Sequence, residues 1–171
     1  MNTYERYEMN YQKELIELFS RFRLTHSVTT HLDFRYSHIR NDVYMSFFER
    51  DLIIFKNQLN RRFYGRKTSK LNYNEELPII IPSIENFNSK NEPLHFHFSL
   101  GNLREDTFTE DEIEEKIIKS WKSVKFCEKN YKSVVVKPIY SQSDWIQYMT
   151  KEMNHKNQSC IQYDLIQTSP K

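Results

Sequence analysis

The stretch "EPLHFHFSLGN", residues 92–102, sets two imidazoles two positions apart in a run that alternates with large apolar side chains. A strand sends successive side chains to opposite faces. Leu94, Phe96, Phe98 and Leu100 therefore form one apolar face, and His95, His97 and Ser99 the other. Two imidazoles one pleat apart can reach a single ion. About fifty residues downstream, "WIQYMTKE" carries Tyr148 and Lys151 at a spacing of three. On a helix over 144–153, at about 100° per residue, Trp145, Ile146, Met149 and Met153 share one buried face. Tyr148 projects to the side of that face, with Lys151 its neighbour one turn on.

A metal-ligand pair and a flanking Tyr-x-x-Lys suit nucleophilic attack on a phosphodiester. A phenol ionises near ~10, so it is a poor nucleophile at neutral pH. It becomes effective when a divalent ion held by two His and a carboxylate neutralises and orients the phosphate. Lys151 adds positive charge beside the phosphate or the phenolate. A carboxylate ligand suits Mg²⁺ or Mn²⁺, and imidazoles favour Mn²⁺. Glu85, at the end of the strand before the histidine strand, is the preferred third ligand if those strands pair antiparallel. Asp33 and Glu92 are the alternatives.

The bulk composition narrows the field. The chain has 171 residues, a net charge of +2 and a charged fraction of 28%. Its mean hydropathy is −0.78. That is the size of one domain and enough for a core without disulfides. No apolar run approaches the ~20 residues that span a bilayer, and the first residues lack the layout of a secretory signal. Cys127 and Cys160 fit no metal or redox motif, which suggests a cytoplasmic protein with reduced thiols. With only two glycines, Gly65 and Gly101, a Gly-rich phosphate loop is excluded.

The elements that must position these groups follow from periodicity. Helices are expected over 10–23, 43–63 and 109–124, the last with a Thr109/Glu112 capping box. A short helix over 144–153 is capped by Ser143. Strands are expected over 25–34, 77–87, 94–101, 131–140 and 158–166, with Pro82 bending the second or marking an edge. The order fits an α+β domain with a central antiparallel sheet and flanking helices, in a split β-α-β, ferredoxin-like arrangement. One domain is read over 1–171, with its core over about 25–166.

Four segments in this order resemble the HUH endonucleases, and among them the single-tyrosine initiators of rolling-circle replication. "HSVTTHLDF" is similar to the first motif of that family. "IPSIENF" is similar to the strand ending in the acidic ligand, "LHFHFSL" to the His-hydrophobic-His motif, and "WIQYMTKE" to the Tyr-x-x-Lys motif. The resemblance spans roughly residues 25–155. It implies site-specific nicking and rejoining of single-stranded DNA through a 5′-phosphotyrosine, leaving a 3′-hydroxyl that primes replication of a plasmid or phage. It implies His95, His97 and Glu85 as metal ligands, with Tyr148 and Lys151 catalytic. Larger members of that family carry a helicase domain, and none is expected here, so a host helicase and polymerase are expected partners beside the single-stranded DNA or origin hairpin. Only one tyrosine lies in the motif, and termination would need a second protomer or another strategy.

DNA is expected to meet Arg61, Arg62, Arg66, Lys67 and Lys70, which are interleaved with Phe63, Tyr64 and Tyr73. Cations there would contact phosphates, and aromatics would stack on bases. Lys116, Lys119, Lys122 and Lys125 alternate with acids and read as an ordinary exposed helix face. His31 could neighbour the metal site or be a plain polar-face residue, the second being preferred, and His26 has no evident partner. Three alternatives remain beside the initiator: a single-tyrosine insertion-sequence transposase, a conjugative relaxase, and a metal- or nucleic-acid-binding module without catalysis. Relaxases commonly place the tyrosine before the histidines, and here it follows them.

Overall fold

A computed structural model describes residues 3–31, 41–65, 77–86, 95–124, 134–151 and 160–168. The elements run α1 (Thr3–Phe19), β1 (Leu24–His31), α2 (Asn41–Tyr64), β2 (Ile79–Glu85), β3 (His95–Gly101), α3 (Glu110–Trp121), β4 (Val135–Pro138) and α4 (Gln142–Met149). The strands form one four-stranded sheet in the order β2-β3-β1-β4. Every pairing is antiparallel. Two β-α-β halves interleave, so the α+β split arrangement expected from the sequence is the fold.

Alternation along the strands divides the sheet into two chemically different faces. Phe96, Phe98 and Leu100 join Val28, Ile80 and Ile84 beneath Phe48, Leu52, Phe55 and Leu59 of α2 and Ile113, Ile117 and Trp121 of α3. Phe55 packs on Phe98 at 5.0 Å between ring centroids and edge-on to Trp121 at 5.4 Å. Each such side chain contributes about 1.5–3 kcal/mol on burial. The opposite face begins apolar, with Ile79 and Ile81 under Leu15 and Phe19 of α1 and Ile146 and Met149 of α4. It turns polar toward the far end of the strands, where Ser83, Glu85, His97 and Ser99 are buried.

Both glycines answer local demands. Gly65 takes φ +80° and donates its amide to Arg61 O at 2.9 Å, closing the C-terminus of α2. Gly101 ends β3 where a Cβ would come within 2.1 Å of Arg23 O. Helix α3 starts as expected, with the Thr109 hydroxyl accepting from Glu112 N and the Glu112 carboxylate accepting from Thr109 N.

Several boundaries differ from the sequence expectation. Helix α1 starts earlier than residue 10 and ends at Phe19. Helix α4 is capped by Ser141, whose hydroxyl accepts from Asp144 N, so it begins before Ser143. It ends at Met149, and the Thr150 hydroxyl turns back to bond Ile146 O at 2.7 Å. Lys151 therefore stands in the turn after the helix. The expected strand over 158–166 is reduced to single bridges at Ile161 and Gln167, separated by a 3₁₀ turn at Tyr163–Leu165. Those bridges still close the outer edge of β2. Ile84 N bonds Cys160 O, Gln162 N bonds Pro82 O, and Ile80 N bonds Gln167 O. Pro82 occupies an outward-facing amide position between Ile80 and Ile84, so its missing N–H costs the sheet nothing. It marks an edge, as the sequence suggested. No helix among the described residues is long and apolar enough to cross a membrane.

Candidate metal centre and tyrosine helix

Strand register builds the centre. Glu85 lies directly opposite His95 across β2–β3, and His95 lies opposite His31 across β3–β1. One pleat further in, His97 sits between Ser83 and Thr29. All of these side chains project from the face opposite the aromatic core. Glu85, His95 and His97 bring one possible ligand atom each to within 4.8 Å of one another. Glu85 Oε2 lies 3.0 Å from His97 Nε2 and 3.6 Å from His95 Nδ1. A carboxylate and two imidazoles aimed at a common point fit a divalent ion by donor type. His97 Nδ1 is 3.0 Å from Thr29 Oγ1, which leaves Nε2 as the nitrogen turned toward Glu85.

Burial sets the electrostatics. His97 is 0% exposed and Glu85 6%. Burial alone would push the Glu85 carboxyl up, but the Lys151 ammonium and the His97 imidazole outweigh it and hold it below the usual range. Burial pushes His97 down, against the opposing pull of Glu85. Lys151 Nζ meets Glu85 Oε1 at 2.5 Å, and this contact raises the lysine above its ordinary value. The two oxygens of Glu85 thus face different partners, the histidines through Oε2 and the lysine through Oε1.

Tyr148 comes to the same place from α4. Its ring stands edge-on to the His97 ring, 5.4 Å between centroids, and stacks on Trp145 at 5.4 Å. Lys151 Nζ lies 4.3 Å from the centre of the Tyr148 ring. Tyr148 is 43% exposed, which opens it to a ligand from solvent. Trp145 and Met149 anchor the helix over β3, through Trp145 Nε1 to Ser99 Oγ at 2.8 Å and Ser99 Oγ to Met149 Sδ at 3.0 Å. Five residues chosen from sequence (Glu85, His95, His97, Tyr148 and Lys151) therefore converge.

Asp33, Glu92, Arg66, Lys67 and Lys70 lie outside the described residues. Arg61 and Arg62 end α2, on the aromatic side of the sheet and at the end of the strands away from Glu85 and His95. Arg62 there bonds Lys119 O, and Phe63 O accepts from Arg104 beyond the end of β3. The two arginines line a shallow surface with Gln58 and Gly65 and are not joined to the metal centre. Lys119 ion-pairs with Glu115 on α3, as an exposed mixed-charge face should. His26 has a partner after all: its Nε2 is 3.0 Å from Glu110 Oε1.

Sequence reasoning missed two neighbours of the centre, Thr29 and Trp145, and set aside a third, His31, as a polar-face residue. Thr29 holds His97, Trp145 braces Tyr148, and His31 sets its ring against His95 at 4.3 Å between centroids. Thr29 and His31 are two apart on one strand, the same periodicity that exposed His95 and His97. What the sequence lacked was the register placing β1 beside β3.

Scans against protein-family models, curated proteins and solved structures return no match to the chain.

Proposed function

We propose that the protein is a metal-dependent DNA strand transferase of the HUH type, nicking and rejoining single-stranded DNA through Tyr148 to start rolling-circle replication. The observation that carries this reading is the meeting of Tyr148, at the end of α4, and Lys151, in the turn after it, with Glu85 and His97 of the sheet. A core-packing tyrosine would not need a buried carboxylate and two imidazoles beneath it. A metal centre with a purely structural role would not need a half-exposed phenol and an ammonium at its rim.

Glu85, His95 and His97 would hold Mn²⁺ or Mg²⁺, which when bound neutralises non-bridging phosphate oxygens and lowers the barrier to displacement. The remaining work falls to the chain. Lys151 supplies positive charge beside the Tyr148 ring, where a phenolate oxygen and phosphate would both be stabilised. The Tyr148 oxygen forms a bond to phosphorus as the bond from phosphorus to the 3′-oxygen breaks. The phenol gives up one proton and the departing 3′-oxygen takes one up. The phosphotyrosine conserves the phosphodiester, so attack by a 3′-hydroxyl reverses the step and reseals the strand. The proposed substrate is single-stranded DNA or an origin hairpin, and a host helicase and polymerase would complete replication.

The deciding experiment incubates the protein with labelled single-stranded stem-loop oligonucleotides and Mn²⁺ and resolves the products on a denaturing gel. A covalent adduct is expected, absent with Tyr148→Phe and absent with chelator. Metal binding without an adduct on any oligonucleotide would instead indicate a binding module.

A further inference from the structure

We infer that Trp145 is a positioning residue that fixes the Tyr148 ring relative to His97. This rests on the reading of Tyr148 as the nucleophile. The difficulty it addresses is physical. Helix α4 has eight residues and stops at Met149, so Tyr148 sits one residue from a helix end. It is also 43% exposed. A side chain so placed would ordinarily sample several rotamers, and an in-line displacement needs one.

Trp145 removes that freedom. It precedes Tyr148 by three positions, one helical turn, and the two rings stack at 5.4 Å with 27° between their planes. Lys151 Nζ approaches the same tyrosine ring at 4.3 Å. The indole is itself tied to the sheet. Its Nε1–H donates to Ser99 Oγ at 2.8 Å, and Ser99 is fully buried on β3, two residues from His97 and on the same face. The indole also meets the His97 ring edge-on at 5.9 Å. The strand that carries the imidazole therefore carries, through one directional hydrogen bond and one stacked ring, the phenol as well. Simple filling of space would not require a buried hydroxyl aimed at the indole nitrogen. That bond sets the angle of the indole plane, and the plane sets the tyrosine.

The test compares Trp145→Leu and Trp145→Phe in the full chain. Three quantities are measured: the single-turnover rate of adduct formation at saturating oligonucleotide and Mn²⁺, the Mn²⁺ affinity by calorimetry, and the ring signals of Tyr148 in ¹³C-tyrosine-labelled protein, assigned with Tyr148→Phe. Trp145→Leu is expected to slow adduct formation by about 10²-fold, the scale of a roughly 1 Å misplacement. Mn²⁺ affinity should hold, and the part of the Tyr148 ring-current shift that comes from the indole should vanish. Trp145→Phe, which keeps a stacking ring but loses the N–H that bonds Ser99, should recover only part of the rate. An unchanged rate in Trp145→Leu, parallel loss of rate and Mn²⁺ affinity, or an unmoved Tyr148 signal would each overturn the inference. Failure of the wild-type chain to form any adduct would remove the nucleophile reading instead, and the Tyr148 signal alone would then decide whether Trp145 orders that ring.

Discussion

Lys151 Nζ lies 2.5 Å from Glu85 Oε1 while the other oxygen of the same carboxylate faces His97 at 3.0 Å. Glu85 thereby couples the turn after α4 to the end of β2, two segments far apart in the chain. Replacing Glu85 with Gln removes the charge that serves both partners. Mn²⁺ affinity by calorimetry should fall by at least about 10–100-fold, the scale seen even for residues one step removed from a metal. Unchanged affinity would show that the carboxylate is not a ligand.

His95 and His97 should separate metal binding from folding. Both supply imidazole, but the His95 side chain is 27% exposed and that of His97 0%. His95→Ala should weaken metal binding and leave the melting temperature nearly unchanged. His97→Ala should abolish binding and also lower stability by about 1–3 kcal/mol, because it opens a hole beneath Trp145 and Tyr148. Denaturant unfolding of the two variants without metal checks the contrast. Equal stability losses would contradict the difference in burial.

Thr29 makes a subtler case. Its hydroxyl is 3.0 Å from His97 Nδ1. Thr29→Val keeps shape and removes the hydrogen bond, freeing the imidazole to change tautomer. A loss of Mn²⁺ affinity on the order of 10–100-fold is expected, with the fold intact by circular dichroism. Full retention of affinity would show that the ring is held by packing alone.

The pH dependence follows from His97. Burial depresses its pKa in the folded chain. An unfolded histidine takes up a proton near ~6.5. The folded chain resists that proton, so stability is fully present above this value and falls as pH drops through it toward the folded pKa. Glu85, also depressed, loses its contribution at lower pH as it protonates. Urea midpoints of the metal-free protein should therefore decline from neutral toward acid. His97→Gln should flatten the part of that decline nearest pH 6.5. A slope that persists unaltered in the variant would assign it to other groups.

Gly101 offers a test of the fold apart from the site. The Arg23 carbonyl would stand 2.1 Å from an added Cβ, and backbone cannot swing away as a side chain can. Gly101→Ala should lower stability by about 1–3 kcal/mol, measured as a fall in denaturation midpoint. A neutral result would mean that the start of β1 shifts freely.

Local pattern carried much of this architecture, and long-range register supplied the rest. The alternation in "HFHFSL" assigned His95 and His97 to one face because a strand has a fixed period of two. The spacing of Trp145, Tyr148 and Met149 separated phenol from core because a helix has a fixed pitch. Thr109 and Glu112 announced the start of α3 through their mutual hydrogen bonds. Glu85 was legible only on the supposition that β2 and β3 pair antiparallel. Thr29 was opaque and His31 was undecided between the site and a plain polar face, since nothing local says that β1 inserts between β3 and β4. The cap of α4 moved from Ser143 to Ser141 because both serines precede a plausible first turn, and local sequence does not choose between them. The tail over 160–168 lacks the alternation of a full strand and pairs by isolated bridges, so periodicity overstated it.

Pro82 has a bearing on how the molecule behaves in a crowd. Sheets with an open rim recruit strands from neighbouring molecules, the first step toward fibrils. Along the rim of β2 the chain's own tail already occupies the amides of Ile80 and Ile84. Between them an imino nitrogen offers an intruder no hydrogen to share. The rim nearest Glu85 is thereby guarded against polymerisation while Tyr148 stays open to solvent.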